Sequence, residues 1–265
     1  MSSVRSKVKT QAPASGEFEL DQHFIIDPGV AEKLVDAAQI SKDDTVLEVG
    51  AGTGNVTAML AEKAKKVYAI EKSPRFLPML MNIKGNIEVI QGNAVDIEFP
   101  VFDRLVSNVP FSISEALIQK LIRYDFRLAS LILPGGFVKR LLAQKGDAEY
   151  SLLSLKSSLF FDIEVVGRLE KKAFDPEPRV VPWIIRLQPK QKSNIELILR
   201  CMVCRPGSKV KNSLREAVTE MLHVTKNEAR ARLASLPADL ADRRVYTLSL
   251  DDVERIMESL EHEQG

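Results

Sequence analysis

Short apolar runs alternate with amphipathic stretches through the first two thirds of the chain. Runs rich in β-branched residues predict strands at 45–49, 66–70, 87–90, 102–107 and 128–133. Apolar residues at helical spacing predict helices after Asp27-Pro28 and at 57–65, 114–124 and 137–144. This alternation is typical of a mostly parallel sheet with helices on both faces.

The pattern changes after residue 160. Two further β-like runs, 160–169 and 180–187, are joined by a proline-bearing loop with no good helix, which predicts an antiparallel hairpin at the sheet edge. Beyond residue 190 only helical spacing remains, with helices predicted near 194–204, 208–221, 226–233 and 250–260.

The predicted fold class is therefore α/β. A Rossmann-like domain, with a seven-stranded and mostly parallel sheet ending in the antiparallel hairpin, precedes a small all-α C-terminal domain. The predicted boundaries are a flexible tail at 1–17, the α/β domain at 18–189 and the helical domain at 190–265.

Composition adds few constraints. The 265 residues are 45% hydrophobic and 28% charged, as in ordinary globular proteins. No apolar run approaches the roughly 18 residues of a membrane span. The polar, basic start from Met1 to Gln11 does not resemble a secretory signal. Two cysteines do not make a disulfide framework, so a cytoplasmic location is expected.

Net charge is only +1, yet the cations are unevenly distributed. They cluster near the start, at Arg5, Lys7 and Lys9, and again late, at Arg200, Arg205, Lys209, Lys211 and Arg215. Such patches can hold phosphates, although solubilising surface charge is the alternative for each residue.

A glycine loop, Gly50 to Gly54, follows the first predicted strand. Its Gly-x-Gly-x-Gly spacing puts Asn55 where a dinucleotide fingerprint needs a third glycine, and the P-loop ending is absent. Glu48 precedes the loop, and an acidic neighbourhood suits the two cationic groups of S-adenosylmethionine. Glu71 ends the second strand, where a carboxylate can accept both ribose hydroxyls. The loop therefore predicts an S-adenosylmethionine site.

The third strand ends in Gly92-Asn93-Ala94, beside the expected adenine of the cofactor. The Asn93 side chain has two open interpretations, as an acceptor for the adenine amine or as a turn former.

The tetrapeptide Asn108-Val109-Pro110-Phe111 follows the fourth strand. An amide, a proline and an aromatic ring suit the methylation of a planar nitrogen. The Asn108 oxygen and the Val109 carbonyl can accept the amine hydrogens, Pro110 fixes that carbonyl, and Phe111 can stack on the base. No general base is needed before transfer, because positioning and electrostatics supply most of the acceleration.

With these motifs the chain resembles the small-subunit ribosomal RNA adenine N6,N6-dimethyltransferases, a family related to the erythromycin-resistance methyltransferases. The similarity extends to Asp21-Gln22-His23-Phe24-Ile25, to the loop from Phe174 to Val180, and to the basic helix start from Lys209 to Leu214. The resemblance implies dimethylation of two adjacent adenosines near the 3′ end of small-subunit rRNA, and a role in ribosome assembly. It implies rRNA and the pre-small ribosomal subunit as partners; we expect a monomer and no membrane.

The resemblance also implies roles for individual residues. The cofactor contacts would be His23, Ile25, Gly50, Gly52, Glu71, Asn93, Ala94 and Asn108. The catalytic residues would be Asn108, Val109, Pro110 and Phe111, and the RNA contacts Arg179, Arg205, Lys209 and Lys211.

Several departures predict a divergent member. The family usually has Asp at the position of Asn93, Tyr at that of Phe111, and Gln-Lys-Glu where Pro134-Gly135-Gly136 stands. Two alternatives remain open: a non-catalytic assembly or transcription factor of the same fold, and a methyltransferase for another nitrogen. A zinc site at Cys201-x-x-Cys204 is the weakest reading, because structural zinc needs four ligands.

Overall fold

The computed structural model describes residues 22–144, 146–190, 194–203 and 205–262, so the predicted tail at 1–17 lies outside the described residues. Two compact units are present. The first contains the described residues up to Lys139 together with Asp162–Pro189; the second contains Arg140–Phe161 and the described residues from Lys190 onward. The boundary predicted at residue 190 remains a prediction, and this grouping differs from it by adding 140–161 to the second unit.

The first unit contains the strands β1 (Phe24–Ile25), β2 (Thr45–Val49), β3 (Lys66–Glu71), β4 (Ile87–Gln91), β5 (Arg104–Asn108), β6 (Leu128–Pro134), β7 (Phe161–Arg168), β8 (Phe174–Asp175) and β9 (Pro182–Pro189). Its helices are α1 (Pro28–Ala37), α2 (Asn55–Lys63), α3 (Leu77–Met81) and α4 (Ser114–Leu121), and α5 (Gly135–Leu142) runs out of it.

Seven strands form one sheet in the order β4-β3-β2-β5-β6-β9-β7. Neighbouring strands from β4 to β6 are parallel, and β9 runs antiparallel to β6. The predicted fold class, with β7 and β9 at one edge, is confirmed. Because strands β2 to β5 are parallel, the loops that follow them all lie at one edge of the sheet, called the carboxyl edge below. The amino edge is the opposite one.

Helix α1 illustrates how local sequence fixes these elements. The Asp27 carboxylate caps the helix by accepting the Gly29 N–H at 2.8 Å. Pro28 occupies the first turn, where a backbone N–H has no partner within the helix, so the N–H that proline lacks is not needed. Leu34 and Val35 are fully buried against the sheet core. The Ser130 hydroxyl of β6 donates to the Leu34 carbonyl at 2.7 Å, which fixes the helix on the sheet.

A buried ion network lies at the amino edge. The Asp44 carboxylate is fully buried just before β2. It accepts the Ser41 N–H at 2.9 Å and Nε of Arg104 at 3.0 Å, and it also pairs with Arg127. Burial alone would raise the pKa of Asp44, but the Ser41 N–H and the two arginines hold it below its usual value.

A separate two-stranded sheet joins distant parts of the chain. Strand β1 pairs antiparallel with β8, so that Phe24 lies opposite Asp175 and Ile25 opposite Phe174. These two short strands were not predicted from the sequence. Phe174 is buried in the core, which anchors this small sheet to the rest of the unit.

The second unit is helical, as predicted. Its helices are α6 (Leu152–Phe160), α7 (Asn194–Val203), α8 (Val210–Leu222), α9 (Lys226–Ala231), α10 (Ala238–Ala241) and α11 (Leu250–His262). Helix α6 was not predicted. Leu155 of α6 is buried in the same apolar cluster as Leu199 of α7 and Leu214 of α8. Among the described residues, no helix is both long and apolar enough to cross a membrane.

Candidate active site

A cavity of about 330 Å³ opens at the carboxyl edge of the sheet. Its wall consists of residues 22–24, Val49, Gly50 and Gly52, and the segments 70–74, 92–94 and 108–113. Ligands of open α/β sheets bind at this edge, and pockets of roughly 300–1,000 Å³ are typical for small molecules. The structure therefore brings the predicted loop, strand ends and tetrapeptide together around one cavity.

Glycine is required where the loop approaches its neighbours. Gly50 has φ +73° and Gly52 φ +53°, in the left-handed region that favours glycine. A Cβ on Gly50 would lie 3.2 Å from Cδ of Pro110, and one on Gly52 would lie 3.1 Å from Phe24. The loop thus leaves no room for side chains against the tetrapeptide on one side and, on the other, against residues 22–24, here called the entrance segment.

Glu71 lies at the end of β3 with only 4% of its surface exposed. One carboxylate oxygen accepts the Gly52 N–H at 2.8 Å, and the other accepts the Ser73 N–H at 2.7 Å. A carboxylate has about four lone-pair sites, so each oxygen can accept one more hydrogen bond from the cavity side. This arrangement fits a ligand that presents two adjacent hydroxyl groups, as a ribose does.

The surroundings of Glu48 differ from those expected from the sequence, which placed a charged carboxylate beside the cofactor. Its side chain is 3% exposed and does not line the cavity. Burial raises the pKa of Glu48 to about 8, and the negative charge of Glu71 adds to the rise. A raised pKa favours the neutral form of Glu48, so these surroundings do not support the interpretation that its charge attracts the cationic cofactor.

Asn93 lines the cavity, but its side chain is used by its own turn. Its Oδ1 accepts the Val95 N–H at 3.2 Å, and its Nδ2 donates to the Asp96 carboxylate at 2.8 Å. Of the two interpretations, these contacts favour the turn former. Ala94 follows it on the cavity wall.

Asn108 ends β5 with its amide in a defined orientation. Its Nδ2 donates to the backbone carbonyl of His23 at 2.6 Å. This bond commits the NH₂ group, so Oδ1 is the atom left to accept hydrogen bonds from a molecule in the cavity. Within the described chain Oδ1 has no hydrogen bond to another residue. Asn108 Oδ1 is thus the acceptor that this side chain can offer to an amine in the cavity.

His23 is held by the loop that follows β8. Its Nδ1 lies 2.8 Å from the carbonyl oxygen of Pro176, and only a protonated Nδ1 can donate to that oxygen. The imidazole lies 5.2 Å from the Phe111 ring, centroid to centroid, with the planes tilted by 50°. The two rings form an aromatic wall of the cavity beside Asn108.

The remaining members of the tetrapeptide shape its backbone. Val109 is 1% exposed, and its N–H donates to the Ile132 carbonyl of β6 at 3.3 Å. Pro110 has φ −54° and lies against Gly50. Both residues line the cavity. The apolar Val109 side chain anchors the tetrapeptide in the core.

Ile25 does not line the cavity, unlike the other predicted cofactor residues. Its side chain is buried in the core cluster, and its backbone pairs with Phe174. Conversely, Lys72, Ser73 and Pro74 line the cavity without having been predicted. Their only signal in the sequence is that they follow Glu71.

The predicted RNA-contacting cations have different surroundings. Arg179 is exposed on the loop after β8. Arg205 pairs with Glu216 and Glu220, each at 3.1 Å. Lys209 and Lys211 both lie 2.8 Å from Asp242, whose pKa their hydrogen bonds lower to about 2. The late basic cluster is thus partly neutralised within its own unit.

The zinc reading gains no support. Cys204 lies outside the described residues, and Cys201 is half-buried against the apolar cluster of the helical unit. The described residues contain no group of three or more His, Cys, Asp or Glu side chains able to hold a metal ion.

Known proteins resemble this chain over most of its length. A family model described as ribosomal RNA adenine dimethylase matches residues 14–239. A Methanosarcina mazei protein named probable ribosomal RNA small subunit methyltransferase A is 35% identical over 257 residues, 94% of each chain. A protein of the same name from Thermococcus gammatolerans is 38% identical over 240 residues, 88% of this chain and 85% of the relative.

Solved structures agree. The crystal structure of a dimethyladenosine transferase from Plasmodium falciparum is similar with a TM-score of 0.62 and 30% identity, over 90% of this chain and 97% of that one. The 23S rRNA methyltransferase ErmE has the same fold, with a TM-score of 0.59 at 22% identity, over 90% of this chain and 99% of that one. The chain belongs to the ribosomal RNA adenine dimethylases, a family of S-adenosylmethionine-dependent methyltransferases.

Proposed function

We propose that the protein dimethylates N6 of two adjacent adenosines near the 3′ end of small-subunit rRNA. Membership of the family supports the reaction, and the names of the archaeal relatives support the small subunit as substrate. The observation that carries the proposal is the orientation of the Asn108 amide, whose NH₂ group is bound to the His23 carbonyl. A freely rotating amide would present a donor as readily as an acceptor to the target amine.

The tetrapeptide would orient the adenine N6 amine for methyl transfer. The N6 lone pair of adenine is delocalised into the ring, which makes the nitrogen a poor nucleophile. Hydrogen bonds from the amine to Asn108 Oδ1 and to the Val109 carbonyl favour the geometry in which the lone pair points out of the ring plane. Phe111 stacks on the base, an interaction worth roughly 1–3 kcal/mol. No side chain has to remove a proton before transfer.

The cofactor would bind on the side of the cavity lined by Glu71 and the segment 92–94. S-adenosylmethionine supplies an electrophilic methyl group when bound. Glu71 would accept the ribose hydroxyls through the lone pairs that Gly52 and Ser73 leave free. The turn at Asn93 and Ala94 would receive the adenine ring. Binding the cofactor and the adenine in one cavity would account for much of the acceleration, because methyl transfer between two oriented reactants is effectively unimolecular.

The RNA partner would contact Arg179, which is exposed on the loop after β8. Lys209 and Lys211 share the single carboxylate of Asp242, so one positive charge of the pair remains uncompensated for phosphates. Arg205 is paired with two acids and would contribute mainly to the stability of its own unit. We place the reaction on the pre-small ribosomal subunit in the cytoplasm, with the protein acting as a monomer and taking part in ribosome assembly.

Small ribosomal subunits from cells that lack their own dimethylase provide the test. With radiolabelled S-adenosylmethionine, the wild-type protein should label the small-subunit rRNA, and primer extension should stop at the two adjacent adenosines. The Asn108→Ala variant should lose at least about 100-fold in turnover, the scale for removing one transition-state hydrogen bond, while cofactor affinity changes little.

The exposed Asn82→Ala, at the end of α3, is the matched control and should keep wild-type turnover. Near wild-type turnover in Asn108→Ala would refute the role of this amide. A wild-type protein that binds the subunit without transferring methyl groups would refute the enzyme and support a non-catalytic assembly factor. Labelling of a different nucleotide or of DNA would refute the proposed target.

A further inference from the structure

The chain makes a tight turn after β4, here called the β4 turn, residues 92–97. The Gly92 N–H donates to the Glu71 carbonyl at 3.0 Å, and the N–H groups of Asp96 and Ile97 both donate to the Asn93 carbonyl, at 2.9 and 3.2 Å. A Cβ on Gly92 would lie 2.9 Å from Ile97, so the turn folds closely on itself. Its first residues line the cofactor side of the cavity.

Lys120 reaches this turn from the last turn of α4. Its ammonium donates to the carbonyls of Ala94, at 2.8 Å, and Val95, at 3.3 Å, and also to that of Ile97. An ammonium has three N–H donors and no acceptor, so three carbonyls use its full capacity. The same nitrogen lies 4.2 Å from the centre of the Phe99 ring, within reach of a cation–π interaction.

We propose that Lys120 is a positioning residue that holds the β4 turn in the shape that receives the adenine ring of the cofactor. The inference rests on the proposed function of the cavity. Lys120 itself does not line the cavity, so it acts through Asn93 and Ala94.

The physical reason is the repulsion among carbonyl dipoles. Three carbonyl oxygens of one short turn point at one place, and without a cation their negative ends face each other. The Asn93 side chain bonds to Val95 and Asp96, whereas the Lys120 ammonium donates to the carbonyls of the turn. Lys120 is half-buried, and burial lowers its pKa, in agreement with a site enclosed by protein atoms.

Through helix α4, Lys120 also connects the tetrapeptide to the β4 turn. Helix α4 begins directly after the tetrapeptide and its short helical turn at 111–113, and Lys120 lies two turns along it. Tyr124, just beyond α4, accepts the Phe99 N–H at 3.0 Å and donates to Glu98, which extends the same connection. Asn108 is oriented separately by His23, so loss of Lys120 should affect cofactor binding more than methyl transfer itself.

The test compares Lys120→Met with Lys63→Met. Lys63 is also in the last turn of a helix, but it makes a surface ion pair with Asp36 at 2.6 Å. Lys120→Met should raise KM for S-adenosylmethionine about tenfold, on the scale of a lost charged hydrogen bond, while kcat stays within about twofold. Calorimetry without RNA should show the same loss of affinity for S-adenosylhomocysteine and for adenosine, and Lys63→Met should match the wild type.

A merely structural lysine would lower the melting temperature and the active fraction without changing KM. The proposal is overturned if KM and both affinities are unchanged in Lys120→Met, if only kcat falls, or if Lys63→Met shows an equal loss. Should Lys120→Met fail to fold, Lys120→Gln retains a donor and should show a smaller but measurable loss of affinity; wild-type affinity there overturns the proposal. Because binding is measured without methyl transfer, the role of Lys120 in cofactor binding can be tested even if the proposed reaction is refuted.

Discussion

The two ends of β2 carry buried acids in opposite electrostatic settings. At the amino edge, Asp44 is enclosed by the Ser41 N–H and by Arg104 and Arg127, and its pKa is lowered. At the carboxyl edge, burial raises the pKa of Glu48 to about 8. One strand thus holds a compensated charge at one end and a mostly neutral acid at the other.

The two edges of the sheet differ in role: the amino edge contributes to stability, and the carboxyl edge to binding and turnover. The network around Asp44 ties the start of β2 to those of β5 and β6, and its charges are satisfied within the protein. At the carboxyl edge, Glu71 and Asn108 each retain acceptor capacity toward the cavity. Changes at the amino edge should therefore alter unfolding, whereas changes at the carboxyl edge should alter binding and turnover.

The largest effect that would sharpen this contrast is expected for Asp44→Asn. Removing the carboxylate leaves the guanidinium of Arg104, whose side chain is only 14% exposed, without its partner. The free energy of unfolding should fall by about 3 kcal/mol, as for other broken buried ion pairs. Chemical denaturation should show the fall, while turnover of the folded fraction stays at the wild-type level.

Asp43→Asn is the control for that measurement, because Asp43 is the exposed neighbour of Asp44. It should leave the free energy of unfolding within about 0.5 kcal/mol of the wild type. The comparison breaks if Asp44→Asn is as stable as Asp43→Asn, or if it loses turnover without losing stability.

A smaller effect, at the other edge, is expected for Glu71→Gln. The amide cannot accept hydrogen bonds through both of its ends, so either the glycine loop or the ribose loses an acceptor. Affinity for S-adenosylmethionine should weaken about tenfold, equivalent to about 1.4 kcal/mol. Calorimetric titration measures the change.

Glu88→Gln on β4 serves as the partner variant, because Glu88 makes a surface ion pair with Lys66 at 2.7 Å and does not line the cavity. Its affinity for the cofactor should be unchanged. Equal affinities in Glu71→Gln and Glu88→Gln would remove Glu71 from the cofactor site.

The last effect, which is the smallest near pH 5, concerns the dependence of stability on the protonation of Glu48. Its pKa is raised in the folded state from an ordinary value of 4.5 to about 8. The folded protein therefore holds this proton more tightly, and the associated stability is present below about pH 4.5 and is lost as pH rises toward 8.

Glu48→Gln should remove that loss, so the two proteins should differ by less than about 1 kcal/mol at pH 5 and diverge as pH rises toward 8. Denaturation series over this pH range provide the measurement. Parallel curves for the two proteins would mean that Glu48 ionises normally when folded.

Much of the α/β unit was predictable because its signals are local. Strands such as Thr45–Val49 are short apolar runs, and helix α1 has its own capping acid and proline. The glycine loop, Glu71 and the tetrapeptide were predictable because parallel strands bring their carboxyl ends to one edge. Helix α6 was missed because an apolar segment leading into a strand has no clear helical period.

Other features depend on contacts between distant residues and leave no local signal. The Asp44 network joins residues about 60 and 83 positions apart. The lysines at 209 and 211 appeared free in the sequence, but Asp242 lies beside them in the structure. Glu48 was interpreted as a charge because burial, which decides its protonation, is set by the whole fold.

The small sheet of β1 and β8 has a consequence for the time at which the site forms during synthesis. His23, whose carbonyl orients Asn108, is held by Pro176, 153 positions later in the chain. A nascent chain released up to residue 170 already contains the glycine loop and the tetrapeptide, but it lacks β8 and Pro176, which hold the entrance segment from the other side. The ribosome must therefore deliver about two thirds of the chain before the pocket can be completed, and this long-range closure is a slow kind of contact to make.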